Sequence, residues 1–327
     1  MSETTYLVTL RPRGRFFFGG DRAFTASGEA VYAAESLRFP QQTALLGMLR
    51  YAMIRQEANA TIGTGFDIET TDWGHIQALS PIFLTDTVSQ KHWRPSGMNF
   101  QQEGDTVFEL DRPCDKKKIS NYDPKNGLLK NRWNCGAEAY NVEDFFTTIE
   151  TVGNKKARDG KSQADGFFKQ TAYQFVRELN KQKVELAFAF YATFKEPQKF
   201  DKVPSVIVGA DQSAFGLKLT EQEPPNSSLK TGNKIVLLSD AYIPDYAALQ
   251  NHCDFILGEV TPFRFMKPVQ NNDYFTEKRR SPQQFNLLAR GSVLYAKAEN
   301  IGEIAKILHH PTFYQVGYNH FETLNQS

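Results

Sequence analysis

Three arginines stand around three consecutive phenylalanines near the N-terminus, in the run Arg13-Gly14-Arg15-Phe16-Phe17-Phe18-Gly19-Gly20-Asp21-Arg22. Guanidinium groups pair with phosphate oxygens, and a phenyl ring or guanidinium plane stacks on a splayed base. Arg13, Arg15, Phe17 and Arg22 are therefore candidates for contact with single-stranded RNA. Each aromatic–base stack is worth roughly 1–3 kcal/mol. The competing reading puts alternate phenylalanines in a core and leaves the arginines in solvent. A second candidate is a helix start. Pro40 suits a first helical position, so Gln41, Gln42 and Thr43 stand where unpartnered N–H groups and partial positive charge can hold a phosphate. An ordinary helix start is the alternative. Arg50, farther along, could reach RNA or pair with a carboxylate. The third candidate is Arg290-Gly291-Ser292, which interrupts a good strand. Gly291 there marks a bulge or a close backbone approach to a ligand. Arg290 and Ser292 could then bond phosphates or sugars, although packing alone could also demand the bend.

Two basic runs complete the set: Lys116, Lys117 and Lys118, then Lys155, Lys156 and Arg158. They are either solvated faces or a thumb-like hairpin crossing RNA or a target strand. In the second case each phosphate neutralised adds about 0.7 to the salt slope for single strands.

Catalytic signals are few. His309 and His310 are adjacent, so on a helix they point about 100° apart and do not readily share a metal. His320, near Tyr318, could perform metal-independent acid–base cleavage of RNA. Gly19-Gly20-Asp21 is similar to the Gly-Gly-Asp-Asp hairpin of palm-type cyclases, but Arg22 replaces the second aspartate. Two-metal chemistry needs several carboxylates, so a simple turn is expected. The chain has no Gly-x-x-x-x-Gly-Lys loop, no His-Glu-x-x-His and no Gly-x-Ser-x-Gly. No catalytic residue, metal or cofactor is expected.

These residues must be held by a framework, and the composition allows a large one. The 327 residues are 40% hydrophobic and 23% charged, enough for one large domain or two smaller ones. A net charge of +1 and a pI of about 7.7 argue against a free-standing, non-specific nucleic-acid binder. Any such contact must be a local patch or be shared with partners. Cys114, Cys135 and Cys253 form no Cys-x-x-Cys pair and suit reduced thiols. The N-terminus lacks signal-peptide character, and no run approaches the roughly 18 apolar residues of a membrane span. A cytoplasmic protein without membrane contact is expected.

Thr5 to Leu10 alternates as a half-buried strand. The helix from about Pro40 carries Leu45, Leu49 and Met53 in a stripe, with Leu46, Met48 and Ala52 beside it and Gly47 opposite. From Asp86 to Asp165 periodicity fades, and Asn126-Gly127 signals a hairpin turn. This segment reads as an insertion with protruding hairpins. Strands are expected at Val184–Phe194, Ser205–Val208, Lys234–Ser239, Phe255–Phe263 and on both sides of Arg290–Ser292. Short helices are expected at Tyr242–Asn251 and Asn300–His309, the last capped by Asn300 and burying Ile301, Ile304, Ile307 and Leu308. The alternation points to an α+β fold of ferredoxin-like type.

Beyond the opening motif, Val208-Gly209-Ala210-Asp211-Gln212-Ser213-Ala214-Phe215, Leu237 to Ile243, Ala289 to Tyr295 and Gly317-Tyr318-Asn319 follow in order. Together they resemble the third-named Cmr subunit family, the Cas-five-type RAMP proteins of type III-B CRISPR effector complexes. Near the C-terminus Gly317 is the single glycine where the usual RAMP signature is Gly-rich. The resemblance covers the whole chain. It implies two ferredoxin-like (RRM-like) lobes, residues 1–182 with the insertion at about 86–165, and residues 183–327. It also implies a non-enzymatic subunit of a ribonucleoprotein that grips the 5′ repeat tag of CRISPR RNA. Such a subunit bridges the large polymerase-like signalling subunit to the backbone RAMP subunits; target RNA near the insertion is the expectation of the basic runs if they form the thumb-like hairpin. The alternatives are a metal-independent endoribonuclease maturing CRISPR RNA through His320 or His309, and a protein-only assembly module.

Overall fold

The structure is a computed structural model and describes residues 3–20, 22–23, 32–63, 65–69, 72–101, 107–108, 128–156, 162–209, 211–225, 232, 234–269, 277–281, 283–296 and 298–324. It is an α+β protein of mostly antiparallel sheets with few helices. Strand β1 (Thr4–Pro12) is followed by helix α1 (Gln42–Gln56) and β2 (Phe83–Asp86). Two hairpins come next, β3 (His92–Gln101) with β4 (Leu128–Cys135), and β5 (Phe146–Lys156) with β6 (Ser162–Phe175). Then come β7 (Leu186–Phe194) and β8 (Ala214–Glu221). The largest sheet places β8, β1, β7, β2, β3 and β4 side by side. Val8 of β1 thus lies opposite Phe190 on one side and Leu219 on the other. β7, placed by sequence at the opening of the second half, is a central strand of this N-terminal sheet. Apolar residues fill both of its faces, so it is buried throughout except at half-buried Thr193. Its Phe188 meets Phe16, Phe18, Phe39 and Phe175 at ring-centroid distances of 4.8–5.7 Å.

Helix α1 buries Leu45, Leu46, Met48, Leu49, Ala52 and Met53, the face expected from periodicity, with Gly47 exposed opposite. The second half follows β9 (Lys234–Leu237), α2 (Tyr246–His252), β10 (Cys253–Leu257), β11 (Val293–Ala296), α3 (Ile301–Leu308), α4 (Pro311–Gln315) and β12 (Phe321–Leu324). Its sheet runs β10-β11-β9-β12, antiparallel throughout. In chain order those strands are second, third, first and fourth. β2, β7, β1 and β8 repeat the same order in the N-terminal sheet.

Several local expectations change. Asn300 does not cap α3. Its Nδ2 donates instead to the His252 carbonyl and closes the end of α2. Helix α2 starts at Tyr246, because Asp245 caps it by accepting from the Ala248 N–H at 2.9 Å, while Tyr242 lies in a short strand. The single strand expected at Phe255–Phe263 is broken into β10 and Val260–Phe263. The segment read as an insertion with hairpins does carry two, β3–β4 and β5–β6, but β3 and β4 continue the main sheet, held by backbone pairing where alternation fails. Lys116, Lys117, Lys118, Asn126-Gly127 and Arg158 lie outside the described residues. No helix among the described residues is long and apolar enough to cross a membrane.

Asp86 closes the turn from which β3 departs. Its buried carboxylate accepts from the N–H groups of Val88, Ser89 and Glu185 at 3.2, 3.2 and 2.9 Å and from the Ser89 hydroxyl. Burial by itself raises its pKa, but the hydrogen bonds outweigh burial and hold it below the usual aspartate value. The stabilisation is therefore complete above the unfolded pKa of about 3.9 and is lost as pH falls through the lower folded value. Asp86→Asn is expected to lower stability near neutrality and to flatten the acid limb below about pH 4. Parallel stability–pH curves for the two proteins would refute this assignment.

Candidate nucleic-acid interface

Beyond Pro12 the chain leaves the sheet and is stapled on two sides. The Arg13 N–H donates to the Ala214 carbonyl at 2.9 Å, and the Phe17 N–H donates to Ser213 Oγ at 2.8 Å. On the other side Phe16 exchanges both backbone hydrogen bonds with Tyr173 of β6, at 2.8 and 3.0 Å. The result is an open cavity of about 410 Å³ between Arg13–Phe17, Ala172 and the turn Asp211–Ala214. Arg13 and Arg15 are exposed at it. Arg15 Nη1 donates to Thr151 Oγ1 and so ties the cavity to β5. Phe16 is fully buried among Phe18, Phe146, Phe175, Phe188 and Phe215. Phe17 is buried against Ala34 and Ala172, so in this conformation its ring is packing, not a stacking platform. Beneath it Tyr173 donates to Glu35 Oε1 at 2.8 Å. Burial and that carboxylate push the Tyr173 pKa up to about 12.

Arg22 belongs to the neighbouring sheet, where its backbone pairs with Ala34 next to β6. Lys155 and Lys156 end β5, where the register shifts between Asn154 and Lys156. They lie about 13 and 17 Å along the strand from Thr151 at its usual rise. Arg13, Arg15 and Phe17 thus line the cavity, while Arg22, Lys155 and Lys156 belong by their backbone to the sheet and hairpin that adjoin it.

The remaining candidates cluster elsewhere, at the junction of the two halves. Gln41 precedes α1 and makes no side-chain cap. Gln42 is fully buried, and its Nε2 donates to the carbonyls of Ser80 at 2.8 Å and Gly317 at 3.0 Å. The Thr43 N–H is directed at the Tyr318 hydroxyl at 3.4 Å. Arg50 donates to the Gly63 carbonyl at 2.8 Å, and burial lowers its pKa against the nearby Asp72. Arg290 is buried. Its Nη2 and Nε donate to Asp240 at 3.0 and 3.3 Å, and its guanidinium carbon sits 4.8 Å from the Phe39 ring centre. Gly291, at φ +83°, accepts from the Met98 N–H and lies against Asn131 of β4. Ser292 is buried, with Oγ donating to the Ala289 carbonyl at 2.6 Å. The bend at 290–292 is a packing joint between the β3–β4 hairpin and the C-terminal sheet, and the start of α1 is a latch between the halves.

His320 stacks on Tyr314 at 3.9 Å, with Nε2 against the Tyr314 carbonyl at 3.0 Å. Burial pulls its pKa down to about 4, so the ring is neutral near pH 7, a form that can accept a proton as a general base but is not an imidazolium acid. Residues that local patterning did not single out are Asp211, Gln212, Ser213 and Thr151. Gly209, inside the motif at 208–215, was the one visible sign of a special turn there.

The family described as CRISPR-associated protein Cas_Cmr3 matches residues 8–325. No curated protein sequence matches the chain. A chain in the cryo-EM structure of the type III-B Cmr-beta complex bound to cognate target RNA aligns with a TM-score of 0.55 and 14% identity, covering 97% of this chain and 96% of that one. A chain of the same complex with target RNA and AMPPnP aligns with a TM-score of 0.55 and 14% identity, covering 96% and 95%. These likenesses establish a shared fold. Since the family match spans nearly the whole sequence, the chain belongs to the Cas_Cmr3 family of CRISPR-associated proteins.

Proposed function

We propose that this Cmr subunit of a type III-B CRISPR effector is a non-catalytic RNA-binding scaffold. It grips the 5′ repeat tag of CRISPR RNA and bridges the large signalling subunit to the backbone RAMP subunits in the cytoplasm. One observation carries the reading: Arg13 and Arg15 stand exposed on an open cavity whose backbone is stapled to two sheets. Pre-set cations on a rigid edge suit a phosphate backbone. The hairpin β5–β6, whose sequence carries Lys155 and Lys156 near its tip, is on this reading the part that meets target RNA. Both halves share a second-third-first-fourth strand order with a helix after the first strand, which supports reading each as ferredoxin-like. The neighbouring Cmr-beta structures were solved with target RNA bound, in keeping with a place beside RNA. His320 is stacked on Tyr314 with its Nε2 engaged at the Tyr314 carbonyl, which favours scaffold over nuclease.

The Arg13→Glu, Arg15→Glu double variant is expected to weaken binding of repeat-tag RNA by about a hundredfold. It should also lower the magnitude of the salt slope by about 1.4, or 0.7 for each lost phosphate contact. Anisotropy titrations at several salt concentrations measure both. Unchanged affinity and slope would remove these arginines from the interface.

A further inference from the structure

The turn facing the two arginines has unusual chemistry for a wall of an RNA groove. Asp211 and Gln212 are consecutive, exposed and both left-handed, at φ +54° and +52°. Left-handed backbone is uncommon for non-glycine residues and gathers at functional sites when the surroundings enforce it. Here they do: the Val208 N–H donates to the Ser213 carbonyl at 3.0 Å, and Ser213 Oγ holds the Phe17 N–H. Asp211 and Gln212 make no side-chain hydrogen bond or ion pair with any described residue. A free carboxylate repels phosphate, so on this wall the cavity is not built for backbone alone.

We infer that the cavity between Arg13–Phe17 and Asp211–Ala214 is a nucleotide slot selective for guanine. This rests on the RNA-binding reading of the same cavity. Guanine presents two adjacent acceptors, O6 and N7, which an arginine takes in bidentate fashion. On its Watson–Crick edge it also presents two adjacent donors, N1–H and the N2 amine, which match the two oxygens of one carboxylate. Adenine has no proton on N1, and the pyrimidines have no N7. Guanine alone of the four bases answers an arginine and an aspartate with two hydrogen bonds each. Gln212, both donor and acceptor, adds a contact to sugar or base edge. The fixed turn presents these groups without reordering at the moment of binding.

The test uses the full chain and labelled RNA octamers of adenine or uracil with one guanine moved through each position. A guanine at one position is expected to bind about tenfold more tightly than adenine or uracil there, the size of one good bidentate pair. Inosine, lacking the N2 amine, should lose several-fold of that preference. Asp211→Asn keeps the turn, since asparagine tolerates the left-handed region, but it presents an NH2 donor in place of one of the two acceptor oxygens. It should erase the guanine preference while leaving affinity for the uracil octamer equal or higher, because a negative charge has gone. Tight binding with no preference at any position, or a preference unchanged in Asp211→Asn, overturns the guanine slot and leaves the RNA-binding reading standing. No binding of any octamer overturns both.

Discussion

Replacing Asp240 with alanine is expected to cost about 3–5 kcal/mol of unfolding free energy, the usual penalty for stranding a buried charge. Arg290 is 7% exposed, and Asp240 accepts from its backbone N–H as well as from Nε and Nη2. The guanidinium also caps the Phe39 ring, which stacks on Trp133 at 4.8 Å. Without the carboxylate the cation stays in that aromatic setting with the ring face as its remaining electrostatic partner, worth about 2 kcal/mol when desolvated. Because the Arg290 carbonyl accepts from Asn131, the damage should spread to the joint between the halves. Removing both charges, in Asp240→Ala with Arg290→Met, should recover much of the loss, since a neutral pair leaves nothing uncompensated. Urea denaturation reads both numbers. A single-variant loss below about 1 kcal/mol would mean the pair is effectively solvated.

Gly317→Ala should destabilise the protein by roughly 3 kcal/mol, through backbone strain and displaced contacts together. Gly317 sits at φ +90°, and a Cβ there would lie 2.0 Å from Gln42 Nε2 and 2.6 Å from the Ser80 carbonyl oxygen. The glutamine can swing away, at the loss of its two hydrogen bonds. The Ser80 backbone cannot, because the Ser80 N–H is bonded to Tyr191 of β7. At about 2.1 cal/mol/K per residue, the melting temperature should fall by about 4 °C. An unchanged melt would show that α1 is not clamped against the C-terminal half.

Both sites show where sequence reasoning reaches its limit. α1 and α3 were legible because each buries a face at its own period, and Leu45, Leu49, Ile304 and Leu308 fall where that period puts them; β7 showed instead as an apolar run, and β1, expected to be half-buried, is buried on both faces from Thr5 to Val8. β5 and β6 were not, since Val152 and Phe168 are exposed beside polar neighbours. Pairing across the hairpin holds those strands without alternation. Arg290 looked free because its partner, 50 residues away, leaves no local spacing. Gln42 looked like a helix opening; its amide is claimed by a carbonyl 275 residues on. At the cavity the reverse occurred. Arg13 and Arg15 were conspicuous as charge beside glycine, whereas the left-handed backbone of Asp211 and Gln212 has no mark in residue type alone.

The position of β1 also sets a timetable for the chain at birth. Its neighbours on both sides, β7 and β8, come late, and Thr5 and Thr193 are 188 residues apart. At ribosomal speeds of 5–20 residues per second, the first strand made waits roughly 10–40 s for the first of its two partners. Throughout that interval both of its edges are open templates for foreign strands. An exposed strand of this kind gains from chaperone cover during synthesis, and the N-terminal sheet closes only once β8, ending at Glu221, has been made.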